Sequence, residues 1–122
     1  MTHRAYAWRS LIDAGALVAN GSDAPIEELD PLAGIRAGVL RTLDERPPWL
    51  PEQAVTLDEA FTATTVNAAW LCGDERRRGK LLPGFLADLV VLSHDPWENL
   101  QECQVVATMV GGRWVYNPPP WD

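Results

Sequence analysis

The feature that most constrains this chain is a four-residue apolar run, Ala16-Leu17-Val18-Ala19, set between Gly15 and the polar loop Asn20-Gly21-Ser22-Asp23-Ala24-Pro25. A short run with no polar alternation is the pattern of a strand buried on both faces. Such a strand needs cover above and below. It also needs a hydrogen-bonded neighbour on each side, because an edge is an open row of N–H and C=O groups. The loop that follows lies where α/β sheets place their chemistry, at the C-terminal end of a buried strand.

The flanking segments fit that setting. Residues 4–15 read as a helix, with Trp8, Leu11 and Ile12 on one face and Gly15 as its stop. Asp30-Pro31 opens a second helix, since Asp caps free N–H groups and Pro suits the first helical position. Leu32, Ile35, Val39 and Leu43 then repeat at helical spacing. The stretch 46–51 holds three prolines and is a loop. Thr56-Leu57-Asp58-Glu59 is a capping box, and the helix it starts is expected to bury Leu57, Ala60, Phe61, Thr64, Ala68 and Leu71 and to end near Gly73. Leu89-Val90-Val91-Leu92 reads as a second buried strand, broken by His94-Asp95-Pro96. Val105 to Val110 alternates, Gly111-Gly112 is a two-residue hairpin turn, and Arg113 to Tyr116 returns.

The expected order is helix, strand, helix, helix, then three strands. A parallel α/β style gives way to a small antiparallel sheet, which suggests the end of something larger. The 122 residues are one-domain length, about half of an ordinary (β/α)8 barrel at ~250 residues. A hydrophobic share of 47% with 22% charged residues is that of a folded, water-soluble chain. A net charge of -7 disfavours nucleic acid and anionic lipid as partners. No apolar run reaches the ~18 residues of a membrane span, and residues 1–10 do not have the layout of a signal peptide. Cys72 and Cys103 form no C-x-x-C and read as reduced core thiols of a cytoplasmic protein.

Asp23 is the strongest candidate for chemistry. A carboxylate after a buried strand can hold a divalent metal or accept a proton. On the residues alone, an ordinary aspartate bonded to its own loop backbone is the favoured reading. His3 and His94 are the only histidines and sit in no H-x-H or H-E-x-x-H, so both read as surface residues. No G-x-S-x-G and no phosphate-binding loop occurs. Arg76-Arg77-Arg78 reads as a solvated turn, and Trp49, Trp97 and Trp121, each beside proline, as loop packing.

Taken in order, four pieces resemble one family. They are Arg4 to Leu11 with Gly21-Ser22-Asp23-Ala24-Pro25 and Asp30-Pro31-Leu32; Thr65-Val66-Asn67-Ala68-Ala69, like a T-x-N-A-A element; Gly79 to Leu92, like G-x-(I/L)-x-P-G-x-x-A-D-(L/I)-V-V-L; and Val110 to Tyr116, like a closing hairpin. Together they are similar to the amidohydrolase superfamily, and more narrowly to its family 3, or YtcJ-like, branch. The resemblance implies an α/β fold, the C-terminal part of a metal-dependent hydrolase (β/α)8 barrel plus strands of a small β-sandwich. Residues 1–78 would be the barrel segment, with 16–19 as its last strand, and 79–122 the partial sandwich.

The same resemblance implies a hydrolase acting on amide-like C–N bonds of a small-molecule substrate. Asp23 would be both metal ligand and catalytic proton shuttle. The complete enzyme would use a divalent metal, zinc. The family's H-x-H, its later histidines and its bridging ligand have no counterpart in this sequence. The chain is therefore expected to be a C-terminal fragment that binds no metal tightly and is inactive alone. It would need copies of itself or a complementing N-terminal chain. The competing expectation is a small α/β binding or assembly module without catalysis.

Overall fold

The computed structural model describes residues 5–42 and 44–120. These fall into two compact units, Met1–Ala68 and Ala69–Asp122. His3, Arg4, Leu43 and Trp121, all singled out above, lie outside the described residues.

In the first unit, α1 spans Trp8–Asp13. It closes where the glycine stop is expected. Gly15 has φ +85°, its N–H donates to Ile12 O at 2.9 Å, and Ala16 N–H donates to Leu11 O at 2.9 Å. Those two bonds satisfy carbonyls that a helix end leaves open, and the left-handed turn they need suits glycine.

The apolar run 16–19 differs from its expectation. No strand is assigned there, and Leu17 is half exposed. A strand is a property of a ladder, and among the described residues no other strand lies in this unit to pair with it.

Helix α2, Pro31–Leu40, starts as its sequence dictates, with Asp30 Oδ1 accepting from Leu32 N–H at 3.0 Å and Pro31 in the first turn. Leu32 and Ile35 are buried, each 2% exposed. A 3-10 turn at Pro51–Gln53 meets α1 through Ser10, whose N–H donates to Gln53 Oε1 at 3.1 Å. Helix α3, Leu57–Thr64, carries the complete capping box, in which Thr56 Oγ1 accepts from Glu59 N–H and Glu59 Oε2 accepts from Thr56 N–H. The long helix expected after Thr56 is broken at Thr65, and α4 resumes as Val66–Leu71. The core of this unit is Leu32, Ile35, Ala60 and Ala63.

The second unit is an antiparallel three-stranded sheet in the order β1 (Leu89–Leu92), β2 (Val105–Val110), β3 (Arg113–Tyr116). Gly111 and Gly112, at φ +55° and +78°, form the hairpin turn that two glycines favour. Between β1 and β2 lies a one-turn helix, α5 (Pro96–Asn99), where only a strand break is expected; Asp95 Oδ1 caps it from Trp97 N–H at 2.8 Å. Ala107 and Cys103 are buried. Burial falls short of expectation: of the six residues expected to be buried after Thr56 only Ala60 is, with Leu57, Phe61, Thr64 and Ala68 partly buried and Leu71 69% exposed, and Val90 of β1 is half exposed. Val90 pairs with Thr108, which pairs in turn with Tyr116, so these residues share the sheet face on which Val110 and Tyr116 are also exposed. The fold is thus mixed helix and antiparallel sheet.

Candidate functional site

Asp23 stands in an exposed turn and adopts a left-handed backbone, φ +56°. Asp and Asn tolerate that region better than most residues. The turn is held locally. Asp23 O accepts from Ile26 N–H at 2.9 Å, and Ser22 Oγ accepts from Ala24 N–H at 3.3 Å. The Ala24–Pro25 peptide is cis. No hydrogen bond or ion pair engages the Asp23 carboxylate among the described residues. Ile26 and Leu29, 76% and 80% exposed, leave the same loop with uncovered apolar side chains.

Behind the loop is a cavity of about 240 Å³. Trp8, Ile12, Val18, Asn20, Ile35 and Glu59 are among its lining residues. The charged group at its wall, Glu59, is already committed. Glu59 accepts two bonds from Arg9 Nη1, at 2.8 and 2.7 Å, and Arg9 also reaches Asp13. The Arg9 hydrogen bonds, and then the Thr56 N–H, hold the Glu59 carboxyl below its usual 4.5. Arg9 and Glu59 are 50 positions apart, beyond the reach of any local sequence pattern.

That pairing makes a prediction. A carboxyl whose folded pKa is depressed stabilises the fold above its unfolded value, and the contribution is lost as pH falls through the folded value. Glu59→Gln keeps the capping oxygen and removes the charge. Melting temperature of the wild-type chain should fall more steeply below pH about 4.5 than that of Glu59→Gln. Asp44, held at about 2 by Arg46, titrates with the same sign in both proteins and cancels in the comparison. Parallel acid profiles would show that the Arg9–Glu59 pair contributes nothing.

A second polar feature is structural. Arg41, 7% exposed, closes α2 with φ +57° and donates from Nε to Trp49 O at 3.1 Å. Its guanidinium lies 4.9 Å from the Trp8 ring and 5.4 Å from the Trp49 ring, and Tyr6 meets both rings edge-on. The aromatic faces offset the loss of water around a buried cation. Trp49 is thus the loop-packing residue that its proline neighbours suggest.

The remaining candidates do not assemble. His94 is exposed and lies 2.8 Å from Ser93 Oγ through Nδ1. Of the two thiols expected in the core, Cys103 is buried, with Sγ donating to His94 O at 3.5 Å, whereas Cys72 is exposed; neither forms a disulfide. Among the described residues, no group of three or more His, Cys, Asp or Glu side chains could hold a metal ion. The donor set therefore does not fit a divalent-metal centre, which takes three protein ligands in a catalytic zinc site. No described helix is long and apolar enough to cross a membrane.

Comparison with known proteins places these residues in context. A family model described as "Amidohydrolase family" matches residues 1–116. YtcJ of Bacillus subtilis strain 168, named as an amidohydrolase, is 38% identical over 119 residues, covering 92% of this chain and 22% of its own length. The N-substituted formamide deformylase of Arthrobacter pascens is 36% identical over 108 residues, covering 85% of this chain and 20% of its own. The chain thus spans about a fifth of the length of these relatives. A crystal structure of an amidohydrolase from Thermotoga maritima MSB8 superposes with a TM-score of 0.72 at 24% identity, over 91% of this chain and 26% of that one, a likeness of fold.

Proposed function

The chain belongs to the amidohydrolase family, and from that premise we propose that it is the C-terminal segment of a metal-dependent hydrolase of amide-like C–N bonds in small molecules. The observation that carries this reading is the pairing of two facts. The family match runs along nearly the whole chain, while the chain accounts for only about a fifth of its relatives' length. The formamide deformylase, by its name, cleaves such a bond in a small molecule.

In this reading residues 1–78 are the end of a (β/α)8 barrel and 79–122 part of a small β-sandwich. The half-exposed Leu17 and the exposed Val90, Val110 and Tyr116 fit that assignment, as surfaces that further strands would cover. Asp23 is the one residue of this chain proposed for the chemistry. Its unengaged carboxylate can accept a proton from an attacking water or hold a cation. The donor set here is one carboxylate, so any zinc centre draws its other ligands from outside these residues. The chain by itself is then inactive, and a longer polypeptide, a complementing chain or further copies must complete the site.

Splicing tests this. The chain replaces the corresponding C-terminal fifth of the Arthrobacter deformylase, and hydrolysis of an N-substituted formamide is measured. Retained turnover is expected. A folded, metal-loaded splice product without activity contradicts the proposal and favours a binding module.

A further inference from the structure

The run 16–20 has no strand beside it among the described residues, yet two of its backbone groups, Val18 O and Asn20 N–H, and the Asn20 side chain are bonded to the helices. Three hydrogen bonds reach it from the helices. Asn67 Nδ2 donates to Val18 O at 2.8 Å, Asn20 N–H donates to Ala63 O at 3.0 Å, and Asn20 Nδ2 donates to Thr64 Oγ1 at 3.3 Å. Their helix-side partners, residues 63, 64 and 67, flank the break between α3 and α4 at Thr65.

The break explains why the bonds are available. A helix end leaves its last carbonyls without intrahelical partners. Ala63 O, one residue from the end of α3, takes the Asn20 N–H instead. Helix α4 then restarts at Val66, and its second residue, Asn67, turns its amide to Val18. From the other side α2 closes on the same point: a Cβ at Gly34 would lie 2.9 Å from Asn20 Nδ2. The Asn20 amide is thus held between two helices, and the chain proceeds from it directly to Gly21, Ser22 and Asp23.

We propose that Asn67 and Asn20 are positioning residues for Asp23. They tether the segment leading into the Asp23 turn from its helix side, so that the turn is set before any neighbouring strand pairs with residues 16–19. The proposal rests on the assignment of Asp23 given above. The turn is anchored at both ends, by this tether upstream and by the Asp30 cap of α2 downstream. Asn67 is the residue a helix pattern would leave unread, because its role lies in a donor and not in apolar spacing.

The test uses this chain in solution. Asn67→Asp keeps the shape of the side chain and removes the donor; Asn20→Asp removes a second donor of the same tether from outside the helix. Amide exchange and backbone chemical shifts are followed by NMR. Either variant should speed exchange at Asn20 and Ile26 at least tenfold. It should also shift Asp23 away from its left-handed signature, while the amides of α2 and β2 stay as they are. Unchanged exchange and shifts in the variants overturn the proposal, because shape alone would then suffice. Equal loosening throughout α2 and α3 also overturns it, because the asparagines would then be general supports. If Asn67→Asp does not fold, Asn20→Asp decides. Exchange in this chain does not depend on catalysis. An inactive splice product with the predicted exchange pattern would therefore count against the function of Asp23 and leave the tether standing.

Discussion

Asp23→Asn, made in the spliced deformylase, is expected to cut turnover by about 10²–10⁴-fold, the range a positioned acid–base group contributes. KM should change little. The substitution keeps the size of the side chain and the left-handed backbone, which Asn also tolerates. It removes only the negative charge and the ability to take up a proton. The folded chain should not notice: the carboxylate is exposed and, among the described residues, makes no hydrogen bond that the amide would forfeit. Melting temperature is therefore the control. Loss of turnover with an unchanged melt assigns Asp23 to the chemistry. Full turnover in Asp23→Asn returns it to an ordinary loop aspartate.

Ile35→Ala is expected to destabilise the first unit by about 2–5 kcal/mol, the usual cost of deleting a buried branched side chain. Ile35 is 2% exposed and lies at the wall of the 240 Å³ cavity, so the space it vacates adjoins one already present. Native domains hold only about 5–15 kcal/mol in total, and small units bury a smaller share of their surface. The core of this unit is correspondingly short: two aliphatic side chains from α2 and two alanines from α3. Urea denaturation monitored by circular dichroism should show a separate, earlier transition for this unit. A loss below about 0.5 kcal/mol, the scale of a surface change, would mean that α2 is not held by its buried face.

Local chemistry was the legible part of this fold. Asp30-Pro31, the Thr56 capping box, the Gly15 stop and the Gly111-Gly112 turn all act where the sequence places them, because each is decided by a few adjacent residues. What depends on neighbours was not. Residues 16–19 carry the composition of a buried strand, but a strand also needs a partner to pair with. Leu71 and Val90 misled for a related reason. An apolar side chain states that cover is wanted, not that these residues supply it.

The break at Thr65 escaped because the helix pattern runs through it. The Arg9–Glu59 pair and the Asn67 tether escaped because they join positions about 50 apart. The sequence singles out one candidate residue, Asp23, and the structure places it in an exposed turn without assigning it a role.

In the proposed reading, this chain brings a single carboxylate to a centre completed from elsewhere. Zinc titration by isothermal calorimetry, on the wild-type chain and on Asp23→Asn, tests it most directly. No stoichiometric binding to either protein at micromolar concentration is the predicted result. Tight, stoichiometric binding that vanishes in Asp23→Asn would contradict it, and would mean that copies of this chain assemble a metal centre of their own.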